Sequence, residues 1–380
     1  MSDRNCLVCG RSIGNKDVLM SFNNMPGSAQ DIPTKDDLKS DKGIELKLMQ
    51  CPSCGLVQLS CEPVPYYKKV IRAGGGTTTM VNLRKEQYQE LLDAFDLKGK
   101  KILEVGCGKG EFLKIWKAYD VHAVGIEYDQ GLVDRAINEG LEVYKAYADD
   151  ANTKLPGAPY DAFVQFNFLE HQPYPNRMLQ CIYNNLTENG VGLITVPSLE
   201  YILKYDGYYE LIKDHIAYYS EESLKFLFQK NGFEILDCHI VNRDTHSIMV
   251  KKRNKVDISI WAENFESLKG ELHAYVDSYL IQGKKVAVWG ASHQGFTLIP
   301  SLGLSEKISY IIDSAPFKQG KFAPASHVPI VDKSHFFKEP VASILIVAPG
   351  YTDEIAKIIK SELDENINIM TLRSNHLEKL

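Results

Sequence analysis

The chain has 380 residues, 44% apolar and 24% charged, with a formal net charge of −6. That length predicts two or three cores, and the composition is that of a water-soluble globular protein. No long basic run suggests a surface that wraps nucleic acid, and no apolar run reaches the roughly 20 residues of a membrane span. The polar start "MSDRNCLVCG" does not read as a secretion signal, so a cytoplasmic location is expected, with neither nucleic acid nor membrane as partner.

Four of the eight cysteines form two Cys-x-x-Cys-Gly pairs, Cys6/Cys9 in "CLVCG" and Cys51/Cys54 in "CPSCG"; Cys61, Cys107, Cys181 and Cys238 are scattered. Each pair can turn two thiolates toward one ion, and two pairs complete a closed tetrahedral zinc site of structural type. A redox pair would normally open a helix after a strand, and a second copy would have no use. Residues 1–82 are therefore expected to form a zinc-binding module, with loops at Met25–Asp31 ("MPGSAQD") and Arg72–Thr79 ("RAGGGTTT").

"LRKEQYQELLDAFDL" repeats apolar residues at helical spacing and leads into a segment, 83–255, that alternates strands and helices. "KILEV", "VHAVGIE", "LEVYKA", "DAFVQFN" and "VGLITVP" are short β-branched runs, separated by helical stretches such as "DQGLVDRAINEG" and "YPNRMLQCIYNNL". The pattern predicts a parallel sheet with helices on both faces. "FEILDCHIV" and "HSIMVKKR", joined by "NRDT", predict a terminal antiparallel hairpin. Residues 256–380 open with a long helix whose Trp261, Phe265, Leu268, Leu272, Tyr275 and Tyr279 form one stripe, expected to be core. The alternation then restarts with "KKVAVWGAS", "ISYIIDS" and "ASILIVAPG", which predicts a second doubly wound domain.

The sharpest chemical signal is "ILEVGCGKGEF", where a strand carrying Glu104 runs into Gly106, Gly108 and Gly110. Glycines there let the turn tighten and let a ligand approach the backbone at the sheet's carboxyl edge. Glu127 ends the next strand about 20 residues on, the place for an acid that binds two ribose hydroxyls. A dinucleotide fingerprint is G-x-G-x-x-G with no acid inside the strand. Here the spacing is G-x-G-x-G after an acid, which suits a cationic amino-acid ammonium and would repel a pyrophosphate.

This constellation resembles the class I S-adenosylmethionine-dependent methyltransferases over residues 85–252. The resemblance implies that Glu104, Gly106, Gly108 and Gly110 sit against the methionine part of the cofactor and Glu127 takes the ribose. Asp149 in "ADDA" would meet the adenine amino group, and Asn167 and His171 in "FNFLEH" would lie beside the sulfonium. After the fifth strand a long tyrosine-rich segment ends in "KDHIAYYS", where His215 has Asp214 beside it. A histidine with an adjacent carboxylate can be oriented and tuned for proton abstraction.

The order of the three parts resembles a narrower group, the zinc-containing C-methyltransferases that act on nucleotide-linked 4-keto-deoxysugars. The likeness runs over essentially the whole chain and includes "MPGSAQ", "DHIAYYS", "GASHQGFTL" and "IDSAPFKQGKFAP". It implies an α/β fold: a class I methyltransferase doubly wound sheet between an N-terminal zinc module and a C-terminal Rossmann-like domain. It further implies His215 as the base that forms an enolate and His171 as the group that stabilises it, with Asp214 beside the base. In the third segment, which in that group helps hold the nucleotide sugar, the implied substrate-binding residues are Gly290, Ser292, Gln294, Lys318 and Tyr351. Lys318 would offer charge to a pyrophosphate. Three positions depart from the group: Asp214 replaces a glutamate, Ile212 a tyrosine and Gln294 a lysine. The first two leave open an O- or N-methyltransferase on the same scaffold. A non-catalytic sugar-nucleotide-binding protein would have no use for the glycine turn with Glu104 and Glu127.

Overall fold

The computed structural model describes residues 4–69 and 76–380, so Arg72–Gly75 of the expected glycine-rich loop lie outside the described residues. The chain divides into two compact units, Met1–Asn254 and Lys255–Leu380.

The first unit opens with a small hairpin, β1 (Arg4–Asn5) and β2 (Ser12–Ile13), closed by the first cysteine turn. Then come β3 (Val18–Met25), β4 (Ile44–Gln50) and β5 (Val57–Leu59), antiparallel neighbours in a sheet. Helix α1 (Thr78–Ala94) follows, capped by the Thr77 side chain. Its buried positions are Arg84, Gln87, Tyr88 and Leu91, a helical stripe that is polar at one end.

Next come β6 (Lys101–Val105), β7 (His122–Glu127), α2 (Gln130–Asn138), β8 (Val143–Lys145), β9 (Tyr160–Phe166), α3 (Pro175–Asn184) and β10 (Leu186–Pro197). Helix α4 (Leu199–Lys204) and the two-residue strand β11 (Ala217–Tyr218) lie in the long segment that follows. Helix α5 (Glu221–Lys230) and the hairpin β12 (Phe233–Val241) and β13 (Thr245–Lys252) complete the unit. The seven-stranded sheet has the order β12-β13-β10-β9-β6-β7-β8, with β13 antiparallel to β10 and to β12. A parallel sheet whose strand order reverses between β6 and β9 and that closes with an antiparallel hairpin is the class I methyltransferase fold. Strand β11 adds to the other sheet, giving β11-β5-β4-β3. One apolar cluster runs from Val8, Ile13 and Leu56 of the cysteine region into Leu179, Tyr219 and Phe228 of the larger fold, so the two parts share a core.

The second unit begins with α6 (Ser259–Leu280) and has β14 (Val286–Trp289), α7 (His293–Ser301), β15 (Ile311–Ile312), β16 (Ile330–Val331), β17 (Ser343–Ile346), α8 (Thr352–Glu362), β18 (Asn368–Leu372) and β19 (Leu377–Lys379). Its sheet order is β16-β15-β14-β17-β18-β19, parallel except for the last strand, with the same reversal of order at its centre. The expected core stripe of α6 is only partly core. Trp261 is 68% and Phe265 40% exposed, because the helix packs into the sheet's core from Leu268 onward.

Helix α5 has a well-made start: the Ser220 hydroxyl accepts the Ser223 N–H, and the Ser223 hydroxyl accepts the Ser220 N–H. Replacing the cap removes the acceptor for an otherwise orphaned helix donor. Ser220→Ala is expected to lower stability by about 1 kcal/mol, read as a lower urea midpoint with an unchanged slope.

Candidate active site

A cavity of about 640 Å³ opens at the carboxyl edge of the seven-stranded sheet in the first unit. Parallel strands present the ends of β6, β7, β9 and β10 together there, so residues distant in sequence meet. Gly106, Gly108, Glu127, Asn167, His171, Asp214 and His215 all line this one cavity. Glu104, Gly110 and Asp149, also expected in the cofactor site, do not line it.

Each of these has a physical place. Glu104 is fully buried within β6, directly before the turn. Gly106 has φ +67°, and a Cβ there would stand 3.3 Å from the Phe168 ring. Gly110, at φ +88°, packs with Leu141, whose Cδ1 would lie 2.2 Å from an added Cβ. Its role is close packing of the turn, while Gly106 and Gly108 form the cavity wall. The Glu127 carboxylate accepts the N–H of Gly108 at 3.0 Å and of Asp129 at 2.9 Å, so it also braces the glycine turn. Asn167 takes a left-handed conformation, φ +46°, which asparagine tolerates, and its Oδ1 accepts the Thr195 hydroxyl at 2.9 Å. Asp149 faces Lys68, whose ammonium lies 2.7 Å from its carboxylate and over the Tyr147 ring. The expected adenine contact from Asp149 thus meets a carboxylate already engaged by a lysine of the N-terminal region.

The two histidines pack edge to face with ring centroids 4.7 Å apart. His171 Nδ1 lies 2.8 Å from the Asp214 carbonyl oxygen, which can only accept, so Nδ1 carries the hydrogen and Nε2 of the neutral ring is an acceptor. Burial, reinforced by His215, lowers the His171 pKa to about 3. Desolvation likewise lowers that of His215 to about 4, partly countered by the charge of Asp214. Both rings are therefore neutral at ordinary pH. The expectation that His171 donates to an enolate meets a ring whose hydrogen is spent on Asp214. The Asp214 carboxylate makes no hydrogen bond to the His215 ring. It accepts the Ala29 N–H at 2.9 Å and the Tyr66 hydroxyl at 2.6 Å. Glu170, 3% exposed, sits beside the pair with Oε1 3.8 Å from His171 Nε2. Ile212 lines the cavity with an apolar side chain, and its backbone is tied to the Tyr218 hydroxyl.

Several residues of the site escaped the sequence reading. Arg84 on α1 is fully buried and lines the cavity, with its guanidinium 3.9 Å from the Phe166 ring centroid. The signal was available, as an arginine on the buried stripe of an amphipathic helix. Ala29, Gln30 and Lys68 reach the cavity from the N-terminal region, which no short-range pattern reveals.

The four thiols Cys6, Cys9, Cys51 and Cys54 converge, with all sulfurs within 4.8 Å of one another. The separations of Cys6 from Cys54 and of Cys9 from Cys51 are 3.4 and 3.5 Å. A tetrahedral four-thiolate zinc centre has edges of about 3.8 Å from its metal–sulfur distance, so the donor set and spacing fit that ion. Among the described residues no helix is long and apolar enough to cross a membrane.

In the second unit Gly290 and Ser292 lie on the turn from β14 into α7, Gln294 in the first turn of α7, and Tyr351, 67% exposed, between β17 and α8. These two turns flank the reversal of strand order, where open α/β sheets bind ligands. The Ser292 hydroxyl donates to Gln294 Oε1 at 2.9 Å. Lys318 is held by the Ala291 carbonyl at 2.7 Å and the Asp313 carboxylate at 3.0 Å. Two of its three donors are thus engaged within the protein.

The strand order, the glycine turn and the two acids at its edge define an S-adenosylmethionine-dependent methyltransferase. A methyltransferase-domain family model matches residues 80–237, and a C-methyltransferase C-terminal domain model matches residues 253–371. The chain is 23% identical to the C-methyltransferase NovU of Streptomyces niveus over 92% of this chain and 90% of that protein. A probable S-adenosylmethionine-dependent methyltransferase of Mycolicibacterium smegmatis is 27% identical over 29% of this chain and 42% of its own length. Among solved structures, the PH0226 protein of Pyrococcus horikoshii OT3 aligns with a TM-score of 0.40 at 15% identity, covering 50% of this chain and 96% of that one. The chain thus carries a methyltransferase domain followed by a C-methyltransferase C-terminal domain, which supports S-adenosylmethionine-dependent methyl transfer to carbon.

Glu127→Ala removes the brace of the glycine turn. The variant is expected to bind S-adenosylmethionine at least tenfold more weakly by calorimetry, while Lys318→Ala leaves that affinity within twofold.

Proposed function

We propose that the enzyme methylates a ring carbon of a nucleotide-linked 4-keto-deoxysugar through an enolate formed by His215. The observation that carries this reading is the pair of neutral, recessed histidines sharing one cavity with the cofactor turn. Methyl transfer to carbon needs a carbon nucleophile, and a neighbouring ketone makes such a carbon acidic enough to deprotonate. His215, neutral and on the cavity wall, takes that proton, and the imidazolium so formed stands beside the developing enolate oxygen. Glu170, close to both rings, favours the charge that the pair gains in this step. S-adenosylmethionine, held at the glycine turn of Gly106 and Gly108, would supply a methyl from a cationic sulfur that leaves with the bonding pair. The aromatic and apolar walls, Phe166, Phe168 and Ile212 among them, limit water access to that methyl.

We further infer that Cys6, Cys9, Cys51 and Cys54 hold a structural zinc ion, since a closed four-thiolate set leaves no coordination position for chemistry. The second unit's turns at Gly290–Gln294 and Tyr351 are proposed as a nucleotide-binding surface of that unit, where backbone N–H groups and hydroxyls would act beside Lys318.

His215→Asn is expected to lower turnover at least a thousandfold with S-adenosylmethionine affinity within twofold; turnover near wild type removes His215 as the base. Because the base must be deprotonated and its folded pKa is about 4, kcat/KM should fall only as the pH drops through about 4. An acid limb at the ordinary imidazole value of about 6.5 would contradict the buried neutral pair. Metal analysis should find one zinc ion per chain, and Cys6→Ser should lose it together with soluble yield.

A further inference from the structure

Asp214 stands where three parts of the first unit meet. Its backbone carbonyl fixes the His171 ring, and the next residue is His215. Its carboxylate, 3% exposed, belongs to the N-terminal region through the Ala29 N–H and the Tyr66 hydroxyl. Tyr66 is fixed in turn by the Ser28 hydroxyl at 2.5 Å, and Ser28 Oγ also accepts the N–H groups of Gln30 and Asp31. The loop that the sequence singled out as "MPGSAQD" is therefore folded around the partner of Asp214.

The other flank of His215 is anchored in the same region. The Ile216 carbonyl accepts the Leu59 N–H at 3.0 Å, and the Ile216 N–H donates to the Glu170 carbonyl at 2.9 Å. Ala217 and Tyr218 then pair antiparallel with Gln58 and Val57 of β5. Strand β5 starts just after the second cysteine turn, whose Cys51 N–H donates to the Leu56 carbonyl. The Gln58 side chain accepts the N–H of Leu7, between the cysteines of the first pair, at 2.9 Å. Both neighbours of His215 are thus hydrogen-bonded to the N-terminal region that carries the four cysteines.

We propose that the cysteine-bearing N-terminal region is a positioning element of the active site, with Tyr66 acting on the Asp214 carboxylate to set the His171–His215 pair. The proposal builds on the His215 reading above. It also accounts for the aspartate at 214. Its short arm places both carboxylate oxygens on the Ala29 and Tyr66 donors, and a glutamate would carry them one methylene further. Tyr66 touches neither the cofactor turn nor, among its hydrogen bonds, any residue beyond Ser28, Gln30 and Asp214, so it is a positioning residue.

The test uses full-length, zinc-loaded Tyr66→Phe, Asp214→Ala and Asp214→Asn. The ring signals of His171 and His215 are followed by NMR, assigned with single His→Asn variants, alongside S-adenosylmethionine affinity by calorimetry. Tyr66→Phe is expected to shift both histidine signals, to raise their titration midpoints and to leave cofactor affinity within twofold. Asp214→Ala should do the same more strongly. Asp214→Asn, which retains an acceptor for Ala29 and a polar group for Tyr66, should stay closer to wild type than Asp214→Ala. Histidine signals and midpoints unchanged in Tyr66→Phe overturn the proposal. So does an Asp214→Asn protein as disturbed as Asp214→Ala. These readouts need no sugar, so they stand apart from the outcome of methyl transfer: shifted rings with no keto-sugar methylation would sink the substrate reading and leave the positioning role intact.

Discussion

The reversal of strand order between β6 and β9 is the constraint on which the site depends. Two strands that run parallel but lead their crossovers in opposite directions leave a crevice at their carboxyl ends, and nothing within the sheet closes it. The glycine turn after β6 and the Asn167–His171 segment after β9 face each other there because the topology allows no other place for them. Everything else around the site either shapes that crevice or covers it. Glu127 braces the turn from β7, Arg84 closes one wall from α1, and the segment after β10 returns over the opening with Asp214 and His215.

A cover of that kind must be fixed, since catalysis by a positioned base loses rate steeply with small misplacement. A loop of more than a dozen residues has little intrinsic stiffness. Here the stiffness is borrowed. Strand β11 contributes only two residues to a sheet, yet the pairing with β5 ties the loop to the cysteine-rich hairpins, and a shared apolar core backs it. Removing water from the histidines is the second consequence of the same cover. The rings lose solvation, their charged forms become costly, and they remain neutral well below the ordinary imidazole range.

Much of this was legible from local pattern. Short β-branched apolar runs located the central strands, the acid–glycine turn separated a sulfonium cofactor from a pyrophosphate one, and paired cysteines marked the N-terminal region. These signals are short-range: each needs only a few neighbouring residues to be meaningful. What escaped detection was long-range. The Tyr66–Asp214 bond spans 148 residues, and Lys68–Asp149 spans 81. No periodicity encodes such pairs. The carboxylates of Asp214 and Asp149 likewise bond to the N-terminal region, Asp214 to Ala29 and Tyr66 and Asp149 to Lys68. Trp261 and Phe265 were misread for another reason, since a helical stripe predicts a buried face but not how much of the helix has a sheet beneath it.

The central claim is that a ring carbon beside a ketone receives the methyl group. It is tested most directly by incubating the enzyme with S-adenosylmethionine carrying a ¹³C-labelled methyl and a panel of nucleotide-linked 4-keto-deoxysugars and their 4-hydroxy counterparts. The product is then read by carbon–proton correlation NMR. The account predicts a labelled methyl bonded to a ring carbon next to the ketone, formed only from keto sugars. A labelled methyl on oxygen or nitrogen, or equal reaction of the 4-hydroxy sugars, would contradict it.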